Sequence, residues 1–161
     1  LYYTTSHLED FVKALYDEMN IKTPDQLDAR MIAYILGLRL VFEPHDSAFY
    51  FNTIWIDSRL SEADRWEKLG HELGHALRHA GNQMVMPKSW VDYQELDANR
   101  FAFHFCVPTF MLREVRLPYS LDEAIAIVAK TFNVTPGFAA KRLAHYEQKL
   151  IADPANQQYF C

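Results

Sequence analysis

Apolar residues return at helical spacing along most of the chain, and only one short stretch near its first third departs from that rhythm. Ser6 and Glu9 form a capping-box signature ahead of Leu8, Phe11, Val12, Leu15 and Met19, which predicts a helix over about 7–19. Thr23-Pro24 with Gln26 reads as N-cap, N1 proline and N3 partner of a second helix that continues to Gly37. Leu38–Glu43, Ala48–Phe51 and Ile54–Asp57 then read as short strands. Pro44 ends the first and Asn52-Thr53 turns between the others, which predicts a small antiparallel meander.

Helical spacing resumes at Trp66, Leu69, Leu73, Ala76, Leu77 and Ala80, a helix over about 62–80 capped by Ser61 with Asp64 and closed by Gly81. After a loop containing Pro87, Ser89 with Asp92 opens another helix to about Cys106, and 108–115 forms a short one. Ser120 with Glu123 caps a helix that buries Ile125, Val128 and Phe132, and Thr135-Pro136 starts the last, which carries Leu143, Tyr146 and Leu150. With no repeat, low-complexity run or linker, 1–152 is expected to form a single domain, and 153–161 a loose tail.

Composition narrows the class. A chain of 161 residues, 50% hydrophobic and 14% aromatic, can bury a substantial core. No window approaches about 18 uninterrupted apolar residues, and Leu1–Asp10 lacks the pattern of a signal peptide, so a cytoplasmic protein without membrane contact is expected. Two cysteines, Cys106 and Cys161, supply neither a disulfide framework nor a cysteine zinc motif. A net charge of −5 favours a protein or peptide partner over direct nucleic-acid binding, which needs a basic face.

The chemistry sits in His71-Glu72-Leu73-Gly74-His75, the pattern H-E-x-x-H on the 62–80 helix. Residues four apart lie about 40° apart around a helix and roughly 6 Å along it, so both imidazoles can hold one zinc ion. Glu72 can then reach a water beside the ion, where a hydrolytic general base belongs. A catalytic zinc usually takes a third protein ligand. His79 lies about 12 Å along the axis from His71 and cannot share the ion; it reads as an exposed or packing residue before a supporting one. On the following helix Glu95, Ala98, Asn99 and Ala102 share a face, while Asp97 and His104 point about 160° and about 180° away from Glu95. Ala98 and Ala102 permit close approach, so Glu95 is the candidate third ligand, and Asn99 can accept from the free nitrogen of a ligating histidine.

HELGHALRH followed by ELDANRFAFHFCVP resembles the ImmA/IrrE family of zinc metallopeptidases, whose second motif runs approximately E-x-x-A-N/D-x-F-A and ends in a proline. IWID before the motif helix and FNVTPGFAAKRL near the end are similar to the family pattern too. The resemblance implies an α+β, zincin-like metallopeptidase fold, mostly helical, with a small three-stranded antiparallel sheet ahead of the H-E-x-x-H helix. It implies Zn2+ as cofactor, with His71, His75 and Glu95 as metal ligands, Glu72 as catalytic base and Asn99 in support. Asp97 stands where Glu or Gln is commoner, and Phe105-Cys106-Val107-Pro108 replaces the usual LLMP ending.

The resemblance further implies limited proteolysis of a helix-turn-helix transcriptional repressor, relieving repression under stress or mobile-element induction. The alternatives are a non-proteolytic zinc-containing regulator, or a module that binds the repressor or DNA. A helix-turn-helix-like pair spans about 120–150, joined at Asn133-Val134-Thr135. Lys130, Lys141, Arg142 and Lys149, beside Glu147, are few for a DNA-reading surface, and the pair reads first as a hairpin completing the core. The donor for a tetrahedral oxyanion stays open among Tyr93, His104, Tyr119, His145 and Tyr146.

Overall fold

A computed structural model describes residues 1–79 and 86–159; Gly81, expected to close the motif helix, and Cys161 lie outside them. Helix α1 (His7–Glu18) starts at the expected capping box, with the Ser6 N–H donating to Glu9 Oε2 at 2.8 Å. The helix expected from Pro24 to Gly37 is two elements. Pro24–Gln26 makes one 3-10 turn, the backbone opens at Leu27, and Asp28 caps α2 (Ala29–Ile35) by accepting from the Met31 N–H at 2.6 Å. Two N-cap signals lie too close together for one helix, and the second wins the longer element. Gly37, at φ +70°, takes the left-handed position beyond the end of α2.

The sheet also corrects the expectation of an antiparallel meander. Strand order is β1 (Arg39–Glu43), β3 (Thr53–Asp57), β2 (Ala48–Tyr50); β1 pairs with β3 in parallel and β2 with β3 antiparallel. The most buried strand, with Ile54 and Ile56 fully buried, takes the centre, where both faces are covered. Residues 44–47 bridge its end: the Ser58 N–H donates to Glu43 O at 2.9 Å and the Asp57 N–H to Ser47 Oγ at 3.0 Å. The turn between β2 and β3 is Phe51-Asn52, one residue earlier than expected. Both have positive φ, 43° and 55°, as a two-residue hairpin turn with the twist of its strands demands.

Helix α3 (Glu62–Arg78) carries the motif, and α4 (Lys88–Cys106) ends where Pro108 requires. Pro87, not Ser89, is the N-cap of α4, its carbonyl accepting from the N–H groups of Trp90 and Val91 at 2.9 and 3.3 Å. A short α5 (Thr109–Leu112) leads to α6 (Leu121–Phe132) and α7 (Pro136–Ala152), joined by Asn133 in the left-handed conformation. The core is aromatic where α1, α3 and α4 meet. Tyr16 stacks on Phe105 with centroids 5.2 Å apart, and Trp66 and Phe101 flank that ring at 5.4 and 5.5 Å.

The helical pair α6–α7 is built into this core. Arg142 is fully buried, donating from Nε to Val107 O at 3.1 Å and from Nη2 to Thr109 Oγ1 at 2.7 Å. Lys149 donates to buried Glu9, which also accepts from Tyr3 Oη and Thr109 Oγ1, both at 2.6 Å. Two of the four cations counted toward a DNA-reading face are thus committed inside the protein. The segment after Asp153, expected to be loose, is held as well: Asn156 is fully buried, donates to Tyr2 O at 2.6 Å and accepts from the Tyr2 N–H at 2.8 Å.

Helices α3 and α4 approach closely because both contact faces are small. A Cβ on Gly74 would stand 2.9 Å from Ala98 Cα, and one on Gly70 would stand 2.6 Å from Cys106 Sγ. The first obstacle is backbone, which cannot turn aside. Gly74→Val is therefore expected to force the helices apart and lower the unfolding free energy by about 1–3 kcal/mol. The measurement is the urea midpoint at constant m-value; an unmoved midpoint would contradict the close contact.

Candidate metal centre

The sequence of α3 puts His71 and His75 one turn apart on the face that meets α4, and the glycine–alanine contact brings Glu95 within reach of both. His75 Nε2 lies 3.1 Å from His71 Nε2, and Glu95 sets one oxygen 3.3 Å from each nitrogen, Oε2 toward His71 and Oε1 toward His75. Donors bound tetrahedrally at about 2.1 Å from one ion are about 3.4 Å apart. The triangle observed has that size, so the residues fit a single small cation, and two imidazole nitrogens with a carboxylate oxygen are a donor set that suits zinc. Among the described residues this is the one cluster of His, Cys, Asp and Glu so arranged.

The outer nitrogens are held too. His71 Nδ1 lies 3.0 Å from Asn99 Oδ1, the contact expected of Asn99, which requires the ring proton on Nδ1 and leaves the Nε2 lone pair free. His75 Nδ1 lies 3.0 Å from His79 Nδ1, and His79 Nε2 lies 3.0 Å from Asp97 Oδ2. The sequence reading turned Asp97 away from the site and ranked a supporting role for His79 second. Spacing did contain the signal: His79 follows His75 by the same four residues that separate the motif histidines. Burial lowers the pKa of both motif histidines, that of His75 to about 4, so both are neutral imidazoles.

Glu72 does not join the triangle. It lies beneath the strand β2, 7% exposed, where burial pushes its pKa up to about 7 against the opposing pull of Lys68 and of the Phe49 backbone. The sequence left open which strand borders the site; β2, the edge next to α3, does. An open cavity of about 720 Å³ lies beside His71 and Glu95, with Lys68, Phe103, Phe138 and Lys141 among its walls. Of the candidates for an oxyanion donor, His104, His145 and Tyr146 belong to the cluster around Glu9. His104 Nδ1 is 3.8 Å from Glu9 Oε1, His145 packs on the His104 ring at 5.4 Å, and Tyr146 stacks on Tyr3 at 4.8 Å. Tyr119 is fully exposed, while Tyr93 lines a cavity that also contains His79.

Residues 35–144 match the IrrE N-terminal-like domain of Peptidase M78. The chain belongs to the Peptidase M78 family. It is 43% identical over 152 residues to the uncharacterized protein YqaB of Bacillus subtilis (strain 168), covering 92% of this chain and 88% of YqaB. It is 41% identical over 148 residues to the phage-like element PBSX protein XkdA of the same organism, covering 89% of this chain and 75% of XkdA. A solved Mycobacterium tuberculosis transcriptional regulator superposes with a TM-score of 0.64 at 16% identity, over 87% of this chain and 56% of that one, a likeness of fold. The Peptidase M78 chain thus has the zincin-like α+β fold, mostly helical with its sheet ahead of the motif helix, and a metallopeptidase-type function. Among its described residues no helix is long and apolar enough to cross a membrane.

The burial of Glu72 in this M78 domain has a measurable cost. Folding raises its pKa from about 4.5 to about 7, so between those values the native state binds more protons than the unfolded chain, and stability falls as pH rises through the window. In protein stripped of divalent ions by chelator, Glu72→Gln removes that loss. The unfolding free energy at about pH 8 minus that at about pH 5 is expected to be about 2 kcal/mol more positive in the variant than in wild type, read from urea titrations at both pH values. An unchanged difference would show that the Glu72 proton is not the one taken up.

Proposed function

We propose that the protein is a zinc-dependent endopeptidase that cuts a protein substrate at a limited site. The observation that carries this reading is the pairing of a donor triangle, His71, His75 and Glu95, with a buried carboxyl, Glu72, that stands outside it. A structural zinc site is usually closed by four protein ligands, whereas three ligands and an adjacent base are the parts of a hydrolytic one.

When bound, zinc supplies Lewis acidity, polarising the scissile carbonyl and making water acidic enough to lose a proton near neutral pH. The protein's own groups do the rest. Glu72, with a pKa near 7, takes a proton from the attacking water and returns it to the leaving amine. The Phe49 backbone lies beside the Glu72 carboxyl and favours its charged form. Asn99 and His79 hold the histidine rings. The outer edge of β2, beside Glu72, offers backbone groups to an extended peptide, which suits hydrolysis of a chain drawn out alongside the cleft.

For the substrate we propose a helix-turn-helix transcriptional repressor, whose cleavage relieves repression under stress or on induction of a mobile element. The kinship with XkdA, a protein of the phage-like element PBSX, supports the mobile-element setting. This reading places the protein in the cytoplasm with its substrate. Burial of Arg142 and engagement of Lys149 speak for α6–α7 as scaffold over a DNA-binding module.

The test is incubation with a helix-turn-helix repressor, with and without chelator. Glu72→Gln is expected to retain zinc and lose at least about 100-fold in cleavage rate, the usual worth of a general base. Glu95→Ala is expected to lose zinc as well as cleavage, measured by metal analysis after dialysis. Undiminished turnover in Glu72→Gln would remove the base assignment. Chelator-insensitive binding of the repressor without cleavage would establish a non-proteolytic regulator in its place.

A further inference from the structure

A line of contacts runs outward from His75. His75 Nδ1 faces His79 Nδ1 at 3.0 Å, and His79 Nε2 faces Asp97 Oδ2 at 3.0 Å. Arg78 donates to both Asp97 oxygens, from Nε at 2.7 Å and from Nη2 at 3.1 Å. The side chains of His75, His79 and Asp97 are 13%, 9% and 15% exposed, so water competes little for these contacts. His79 is the C-cap of α3, yet its N–H still donates to His75 O at 3.2 Å, which keeps its ring one turn beyond that of His75.

The proton positions along this line follow from His75. An imidazole that offers Nε2 to an ion must carry its proton on Nδ1. His79 Nδ1 must then accept, which places the His79 proton on Nε2, pointing at Asp97. A carboxylate can only accept, and Arg78 grips both oxygens of this one, so the order of donors and acceptors has a single direction. The other histidine is backed differently, among the described residues by the neutral amide of Asn99.

We propose that His79 and Asp97 are positioning residues for His75: the charge of Asp97, passed through the His79 imidazole, fixes the tautomer and ring orientation of His75 and strengthens its Nε2 as a ligand. This rests on His75 binding an ion as set out above. It gives the two histidines unequal parts, His75 held through a line of contacts that ends in a charge and His71 held by a neutral amide. It also gives a role to Asp97, which a straight helical projection turns away from the site, because Arg78 and His79 at the end of α3 come round to meet it.

The experiment compares wild type, His79→Ala, His79→Gln, Asp97→Asn and Glu95→Ala at one pH. Zinc affinity is measured by competition with a chromophoric chelator, the visible spectrum is recorded for the Co2+ form, and the unfolding midpoint is taken for each metal-free protein. His79→Ala and Asp97→Asn are expected to lose about 10–100-fold in zinc affinity and to shift the Co2+ bands, with metal-free midpoints near wild type. His79→Gln, whose side-chain oxygen can accept from His75 Nδ1 as Asn99 accepts from His71 but no longer relays the charge of Asp97, is expected to recover only part of the loss. Wild-type affinity and spectrum in both His79→Ala and Asp97→Asn would overturn the proposal. So would losses that track the metal-free midpoints and that glutamine fails to recover. A wild-type protein that binds no zinc, or Glu95→Ala that binds it undiminished, would instead refute the three-residue centre itself.

Discussion

The contact between α3 and α4 is the constraint on which the rest of the molecule depends. Ion ligands a few ångströms apart must come from two helices, yet helix axes usually pack 8–10 Å apart, depending on the side chains between them. Gly70 and Gly74 on one side, with Ala98 and Ala102 on the other, remove the intervening side chains, so that a Cβ at Gly74 would collide with the backbone of α4. Only then does the short reach of Glu95 span to both histidines. A polar site assembled this way leaves no apolar layer of its own between the helices. Its rigidity comes from the aromatic cluster of Tyr16, Trp66, Phe101 and Phe105 that clamps the same two helices from behind.

Burial at this contact decides the chemistry. It lowers the pKa values of His71 and His75, keeping lone pairs available, and raises that of Glu72 into the range where a proton can be both taken and returned. The same burial would be costly if the groups lacked partners. Asn99 and His79 supply them for the two histidines, and the Phe49 backbone favours the charged form of Glu72. The edge strand β2 closes over Glu72.

Away from the site, Glu9 and Arg142 bind the two ends of the chain into one body. Glu9 on α1 gathers Tyr3, Thr109 and Lys149, while Arg142 on α7 reaches Thr109 and Val107. Asn156 pins the final turn to Tyr2. Charged groups buried at this depth are held by such multiple bonds, and the place of Arg142 in α7 ties the helical pair α6–α7 to the core.

Much of this was legible in the sequence because it is local. Capping boxes, prolines and helical spacing placed α1, α3, α6 and α7, and the four-residue repeat of H-E-x-x-H put two histidines on one face by the geometry of any α-helix. The faces of α4 followed from the same arithmetic, so Glu95 and Asn99 could be named before a structure was seen. What the sequence did not determine is relational. Strand order in the sheet depends on which strand is covered on both faces, and the apolar alternation of three short strands does not encode that. The split of the helix after Thr23 turned on a competition between two capping signals. Asp97 and His79 joined the site through the crossing of α3 and α4 and the end of α3, where a residue's angle on its own helix no longer predicts its neighbours. Periodicity fixes the face a side chain takes on its own element; which partner it meets is decided only when the elements pack, because that depends on every small residue that lets one backbone approach another.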